Sequence, residues 1–213
     1  MPSAQRRLAA LRERPVNFDP NASHRPEDGW RIDDYCQPLP SEPPGPPIDG
    51  GPFQVAAKLL RDYQVADPRM VRATYDHDEP LEGRTMLLEL RFLVFRTYAG
   101  CRVGEVVDEV RTVDGREVQV WGWPYRTLEG HVEQGEMSWE VWKWRDTGDV
   151  QFRIHSYSRM VSNGNPFTRI GIWLVGQHEC HRYLSEACRR IKRLVGEGLR
   201  GEHPAGHEVG AVG

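Results

Sequence analysis

The sequence predicts an α+β fold in which a curved antiparallel β-sheet grips a long C-terminal helix. Three observations lead there. Residues 69–157 carry strand-like runs broken at turn dipeptides, residues 166–195 carry an apolar stripe at helical spacing, and a proline-rich run separates both from the first residues. A helix of that length, roughly 45 Å at 1.5 Å per residue, needs a broad apolar partner. The sheet is the only surface in the chain large enough to provide it.

The first 14 residues, MPSAQRRLAALRER, suit a short basic helix. Their arginines outweigh a few small apolar groups, which predicts a frayed, solvated end rather than a membrane anchor. Trp30, Ile32, Tyr35 and Leu39 are too apolar for a fully disordered arm and predict contact with the fold, with a strand near 29–36. The run PLPSEPPGPPIDGGP, from Pro38 to Pro52, lacks too many amide donors for helix or central sheet and reads as an extended linker. The expected organisation is therefore an arm and linker over 1–49, an α+β domain over 50–197 and a disordered tail over 198–213.

After the linker, Phe53, Ala56, Ala57, Leu59 and Leu60 recur with helical spacing, and Asp67-Pro68 ends that helix. Residues 84–96, RTMLLELRFLVFR, predict the most apolar strand: Met86, Leu88, Leu90, Phe92 and Val94 load one face, Leu87, Leu93 and Phe95 the other. Further strands are expected at 101–111, 116–125, 136–145 and 149–158, with tight turns at Asp114-Gly115 and Thr147-Gly148. In the last strand Val150, Phe152 and Ile154 alternate with Gln151, Arg153 and His155, the pattern of one buried and one wetter face. Asn165-Pro166 opens the final helix. Its stripe runs through Ile170, Trp173, Leu174, Cys180, Leu184, Ala187, Cys188, Ile191, Leu194 and Val195 and stops before Gly196.

The formal net charge of -3 provides no global attraction to nucleic acid or anionic membrane, so neither is expected as a partner. Cys36, Cys101, Cys180 and Cys188 show no CxxC spacing, which predicts reduced thiols and a cytoplasmic location. Neither a spanning apolar segment nor a signal-peptide core is present. There is no GxSxG elbow, phosphate loop or dinucleotide fingerprint, and no cofactor is expected.

The segment Tyr125–Glu136 reads YRTLEGHVEQGE and resembles the signature YGTLxGHxExGE of an uncharacterised bacterial and plant family, a domain of unknown function. RVGEVVDEV from Arg102, Ser158-Arg159 and Gln177 extend the resemblance over about residues 50–197. It implies a START-like, helix-grip architecture, in which sheet and helix enclose a cavity for an apolar ligand. Two positions depart from the pattern: Arg126 stands at a glycine, and Met160 at the proline that follows Ser-Arg. A glycine used for close ligand approach would leave no room for Arg126.

Within this segment Thr127, His131, Glu133 and Glu136 supply a hydroxyl, an imidazole and two carboxylates. These residue types suffice for acid–base work, and a carboxylate beside His131 would raise its pKa toward neutrality. The same polar groups equally suit bracing of the turn around Gly130 and Gly135. A binding protein for a small apolar molecule is the favoured reading, with Trp121, Trp123, Tyr125, Thr127, His131, Glu136, Trp139, Ser158, Trp173 and Gln177 as candidate contacts. The alternatives are an enzyme using His131, Glu133 and Glu136, and an interaction module presenting Pro43–Pro47 to a protein partner.

Other clusters carry less. His178 and His181 share a helix face, but isolated pairs of this kind are mostly not metal ligands, and no metal site is expected. Asp76, His77, Asp78 and Glu79 lack calcium-loop spacing and read as a solvated turn. Trp121, Trp123, Trp139, Trp142 and Trp144 show no interleaved basic face and read as core or cavity lining.

Overall fold

The computed structural model describes residues 4–92, 95–161 and 166–201, with the backbone alone for residues 92, 95 and 166–177. The chain runs through α1 (Ala4–Arg12), β1 (Arg31–Pro38), α2 (Pro52–Arg61), β2 (Val71–Tyr75), β3 (Thr85–Phe92), β4 (Phe95–Val103), β5 (Val107–Val113), β6 (Arg116–Thr127), β7 (Glu133–Trp144), β8 (Val150–Met160) and α3 (Pro166–Leu199). All strand pairs are antiparallel, in the order β1-β8-β7-β6-β4-β3-β2, with β5 also on β6. The α+β architecture expected from the sequence is the one observed. No described helix is long and apolar enough to cross a membrane.

Two of the expected strands are divided. The run 84–96 is not one strand but the ascending and descending arms of a hairpin, β3 against β4, paired from Thr85↔Arg102 to Phe92↔Phe95. Its apolar residues load both faces in either reading, so periodicity alone could not locate the turn. The run 101–111 is likewise divided. Pairing steps from Val103↔Tyr125 to Val107↔Gly122, so one extra residue is absorbed between β4 and β5 as a bulge.

One face of the sheet, the inner one, packs against α2 and the C-terminal half of α3. Met86, Trp123, Trp139, Val141, Phe152 and Ile154 meet Phe53, Leu60, Leu184, Ile191 and Val195 in a continuous core. Helix α2 stops at Arg61, ahead of Asp67-Pro68, because Tyr63 turns the chain with φ 52 and carries Val65 and Ala66 back into that core. Asp67 instead accepts from Arg69 at 2.7 Å.

The opposite, outer face is not left to solvent. The expectation of a frayed N-terminus is corrected: Leu8 and Leu11 of α1 are buried with Leu87 and Leu128, and Arg12 bridges Asp76 and Glu79 at 3.1 and 2.7 Å. The acidic turn therefore anchors α1. Further along the arm, Phe18, His24 and Trp30 gather round Tyr157, with the Arg159 guanidinium 4.6 Å above the Trp30 ring. Strand β1 then pairs with β8 along its whole length, so the arm supplies an edge of the sheet.

The proline-rich run is also not a free linker. Glu42 and Lys143 form an ion pair at 2.6 Å with both side chains wholly buried. Glu42 accepts as well from the amides of Phe53, at 2.8 Å, and Ile48, at 3.1 Å, and so caps the first turn of α2. Lys143 donates to the Pro46 carbonyl at 2.9 Å. The run bends at Gly45, φ 109, instead of extending. Gly148 permits the approach: it has φ +79, and a Cβ there would lie 1.8 Å from the Glu42 carbonyl oxygen.

Removing one member of a buried pair strands the other's charge. Glu42→Ala and Lys143→Ala are each expected to cost about 3–5 kcal/mol in urea unfolding. The Glu42→Gln/Lys143→Met double variant should lose clearly less than the sum of the single losses. Additive losses would show that the two groups are not coupled.

Candidate functional site

Register across the sheet lines up the inner-face residues in rows. One row reads Tyr35, Ile154, Trp139, Trp123, and the next reads Asp33, Ser156, Met137, Tyr125, Val103. A third contains Arg31, Ser158 and Gly135, which bonds Thr127 opposite Cys101. The inner face thus changes character along its length. It is aliphatic beneath α2, aromatic in the middle and polar toward Arg31.

In the aromatic middle, the Trp139 ring stacks on Phe152 at 6.0 Å and meets Tyr183 of α3 edge-on at 6.2 Å. Tyr63 lies 6.0 Å from Trp123 and 6.3 Å from Trp139, and its hydroxyl is 3.1 Å from that of Tyr183. The Tyr125 hydroxyl donates to Met137 Sδ at 3.3 Å. Burial drives the hydroxyls of Tyr63, Tyr125 and Tyr183 well above the usual tyrosine pKa, so all three keep their protons. The indole nitrogens of Trp123 and Trp139 are buried with no hydrogen-bond partner among the described residues.

At the polar end, Arg31 donates to Asp33 at 2.7 Å and to Cys180 Sγ at 3.4 Å. Glu133 sits near this pair. Desolvation raises its pKa, and the charge of Arg31 partly opposes the rise. Desolvation also pushes the Cys180 thiol up to about 11, which leaves it a neutral thiol and not a nucleophilic thiolate at neutral pH.

The motif segment is divided between the two faces. Glu133 and Glu136 are three apart on β7 and so project to opposite faces. Glu136 receives Arg126 Nε on the outer face at 2.6 Å, so the arginine at the glycine position makes a cross-strand ion pair. His131 Nδ1 accepts the Glu133 amide at 2.9 Å. Contrary to the expected rise, desolvation lowers the His131 pKa to about 4. Thr127 Oγ1 accepts from the Gly135 amide at 2.9 Å and donates to Asn17 Oδ1 at 2.6 Å. Gly135 must be glycine, since a Cβ would lie 2.1 Å from the Tyr157 carbonyl oxygen. These contacts brace the β6–β7 connection, and they do not bring His131, Glu133 and Glu136 to one point.

The remaining candidates are scattered. Trp121 is an inner-face residue beneath the Arg61 guanidinium, 5.2 Å away. Trp142 and Trp144 lie on the outer face, where Arg153 stands 3.9 Å over Trp142 and Arg116 4.4 Å over Trp144. Basic residues therefore do interleave with these tryptophans, although Arg116 is bound to Asp146, and nearby Arg111 to Glu109 and Glu140. His178 is exposed and His181 bonds the Tyr35 hydroxyl. The side chains of Trp173 and Gln177 lie outside the described residues.

A family model described as a domain of unknown function (DUF1990) matches residues 17–187. The chain belongs to that family. The DUF1990 match begins at Asn17, the arm residue that binds Thr127, and includes the whole braced connection. No curated protein shows a significant sequence match to the chain. The chain is similar to several solved structures, three of which follow. A point mutant of norcoclaurine synthase from Thalictrum flavum, in complex with a transition-state analogue, has 9% identity, a TM-score of 0.48 and coverage of 79% of this chain and 95% of that one. Ara h 8.0201 has 9% identity and a TM-score of 0.45, covering 79% and 99%. The Zhui aromatase/cyclase from Streptomyces sp. R1128 has 14% identity and a TM-score of 0.44, covering 83% and 98%.

Sequence reasoning missed Tyr63, Tyr183, Arg31, Asp33 and Cys180 as members of the interior site. Tyr183 was within reach, since it lies three residues after Cys180 and four before Ala187 in the apolar stripe. Arg31 and Asp33 gave no signal, because alternation in β1 places charged residues on the face that usually takes apolar ones.

The depressed His131 pKa has a stability consequence. Native His131 binds a proton less readily than the unfolded residue. Its contribution is therefore complete above about pH 6.5 and is lost as pH falls toward 4. His131→Gln should remove a loss on the order of 2 kcal/mol over that window. Parallel pH dependences of urea unfolding for wild type and variant would contradict the assignment.

Proposed function

We propose that this DUF1990 protein binds a small, largely apolar molecule between the inner face of the sheet and α3. The observation that carries the reading is the pair of buried, unpartnered indole N–H groups of Trp123 and Trp139, set among three tyrosines. A wall serving only to pack would more economically be aliphatic, since an unpaired buried donor costs about 1–3 kcal/mol. Aromatic walls with a few polar groups are typical of small-molecule sites. The polar end at Arg31, Asp33 and Glu133 would orient such a molecule.

Binding is favoured over turnover because His131, Glu133 and Glu136 do not converge on one point and the Cys180 thiol is neutral. Four free cysteines support a reducing, cytoplasmic setting. The proline-rich segment is a poor candidate for presenting an extended ligand to a protein partner, since Glu42 is tied to Lys143, to α2 and to the Ile48 amide, and Pro46 to Lys143.

Purification under native conditions, followed by solvent extraction and mass spectrometry, is expected to release a co-purifying small molecule. Stripped protein should rebind it with a rise in Tm. Protein that yields no extractable molecule and takes up no apolar probe would overturn the reading.

A further inference from the structure

We infer that the interior selects a flat aromatic or conjugated molecule carrying a neutral carbonyl, whose oxygen accepts the indole N–H of Trp123 or Trp139. The inference rests on the proposed binding function and adds the chemical class of the ligand.

The balance of donors and acceptors leads to this class. Tyr63 and Tyr183 satisfy each other, and Tyr125 donates to Met137 Sδ. A hydroxyl can both donate and accept, so such groups can settle among themselves. An indole nitrogen only donates. Trp123 and Trp139 are therefore surplus donors, and they stand directly opposite one another on β6 and β7. A molecule that bonds to either indole must bring an acceptor.

Charge then narrows the choice. The interior disfavours anions, since burial holds all three tyrosines protonated and raises the Glu133 pKa. Arg31 is paired with Asp33 at 2.7 Å, so its charge is already balanced within the interior. A neutral carbonyl oxygen is the acceptor that satisfies the indoles without carrying charge into this environment.

Shape supports a flat ring system. Trp123, Tyr125, Trp139, Phe152, Tyr63 and Tyr183 pack on one another with ring centroids about 6 Å apart, and a flat ring would join this cluster through the same face and edge contacts. Tyr63 occupies its place at φ 52, a backbone region that side chains rarely adopt. Backbone outliers of this kind concentrate at sites where geometry serves binding.

A matched pair of probes tests the inference: 9-fluorenone, which carries one ketone, and fluorene, the same tricycle without it. Isothermal titration of the stripped, full-length chain should give tighter binding of fluorenone by about tenfold or more, the value of one satisfied buried donor. Trp123→Phe and Trp139→Phe keep a ring and delete the N–H. At least one of them should collapse the fluorenone-to-fluorene ratio toward unity, with folding verified by circular dichroism. Equal affinity of the two probes for the wild type would overturn the carbonyl inference while leaving the binding function standing. A ratio that survives both substitutions would overturn the assignment of the donors. Failure of both probes to bind would overturn the inference together with the binding function beneath it.

Discussion

The contact between Glu42 and Lys143 is the constraint on which the arrangement of this chain most depends. Two opposite charges at 2.6 Å with no exposure are costly to desolvate, and their attraction offsets that cost only when every remaining donor and acceptor is engaged. Here the Phe53 and Ile48 amides and the Pro46 carbonyl complete the shell. One interaction thereby ties the end of β7 to the proline-rich run and to the first turn of α2, where a carboxylate also meets the positive end of the helix dipole. The start of α2 is held over the sheet, and the rows of inner-face residues acquire a closed aliphatic end.

With that end closed, the two faces of the sheet take different duties. The outer face is covered by the chain's own beginning: α1 over Leu87 and Leu128, then Phe18, His24 and Trp30 around Tyr157. Such covering explains why the arm carries apolar residues at all, and why the family match reaches back to residue 17. The inner face is left to the helices and to its graded rows of aliphatic, aromatic and polar groups.

The segment YRTLEGHVEQGE is the most recognisable stretch of the chain, yet its side chains mainly hold its own backbone. Thr127 fastens Gly135, His131 fastens the Glu133 amide, and Arg126 fastens Glu136. Reactive residue types close in sequence fall on opposite sides of a strand whenever their separation is odd, and Glu133 and Glu136 are three positions apart. The tyrosines and tryptophans that define the interior come from β6, β7, α3 and the turn after α2, and no short motif could contain them.

The sequence by itself determined the fold class, the antiparallel meander, the long C-terminal helix and the inner face of β8, because period 2 and period 3.6 patterns are local properties of the chain. It also placed Trp123, Tyr125 and Trp139 among the candidate contacts through their concentration on the central strands. Tertiary structure alone decided that the arm completes the sheet and that the proline-rich run is locked by a buried charge. It also decided that His131 becomes harder to protonate and that Tyr63 and Tyr183 meet across 120 residues of chain. Each of these depends on desolvation or on contact between distant segments, and neither is encoded in the spacing of neighbouring residues.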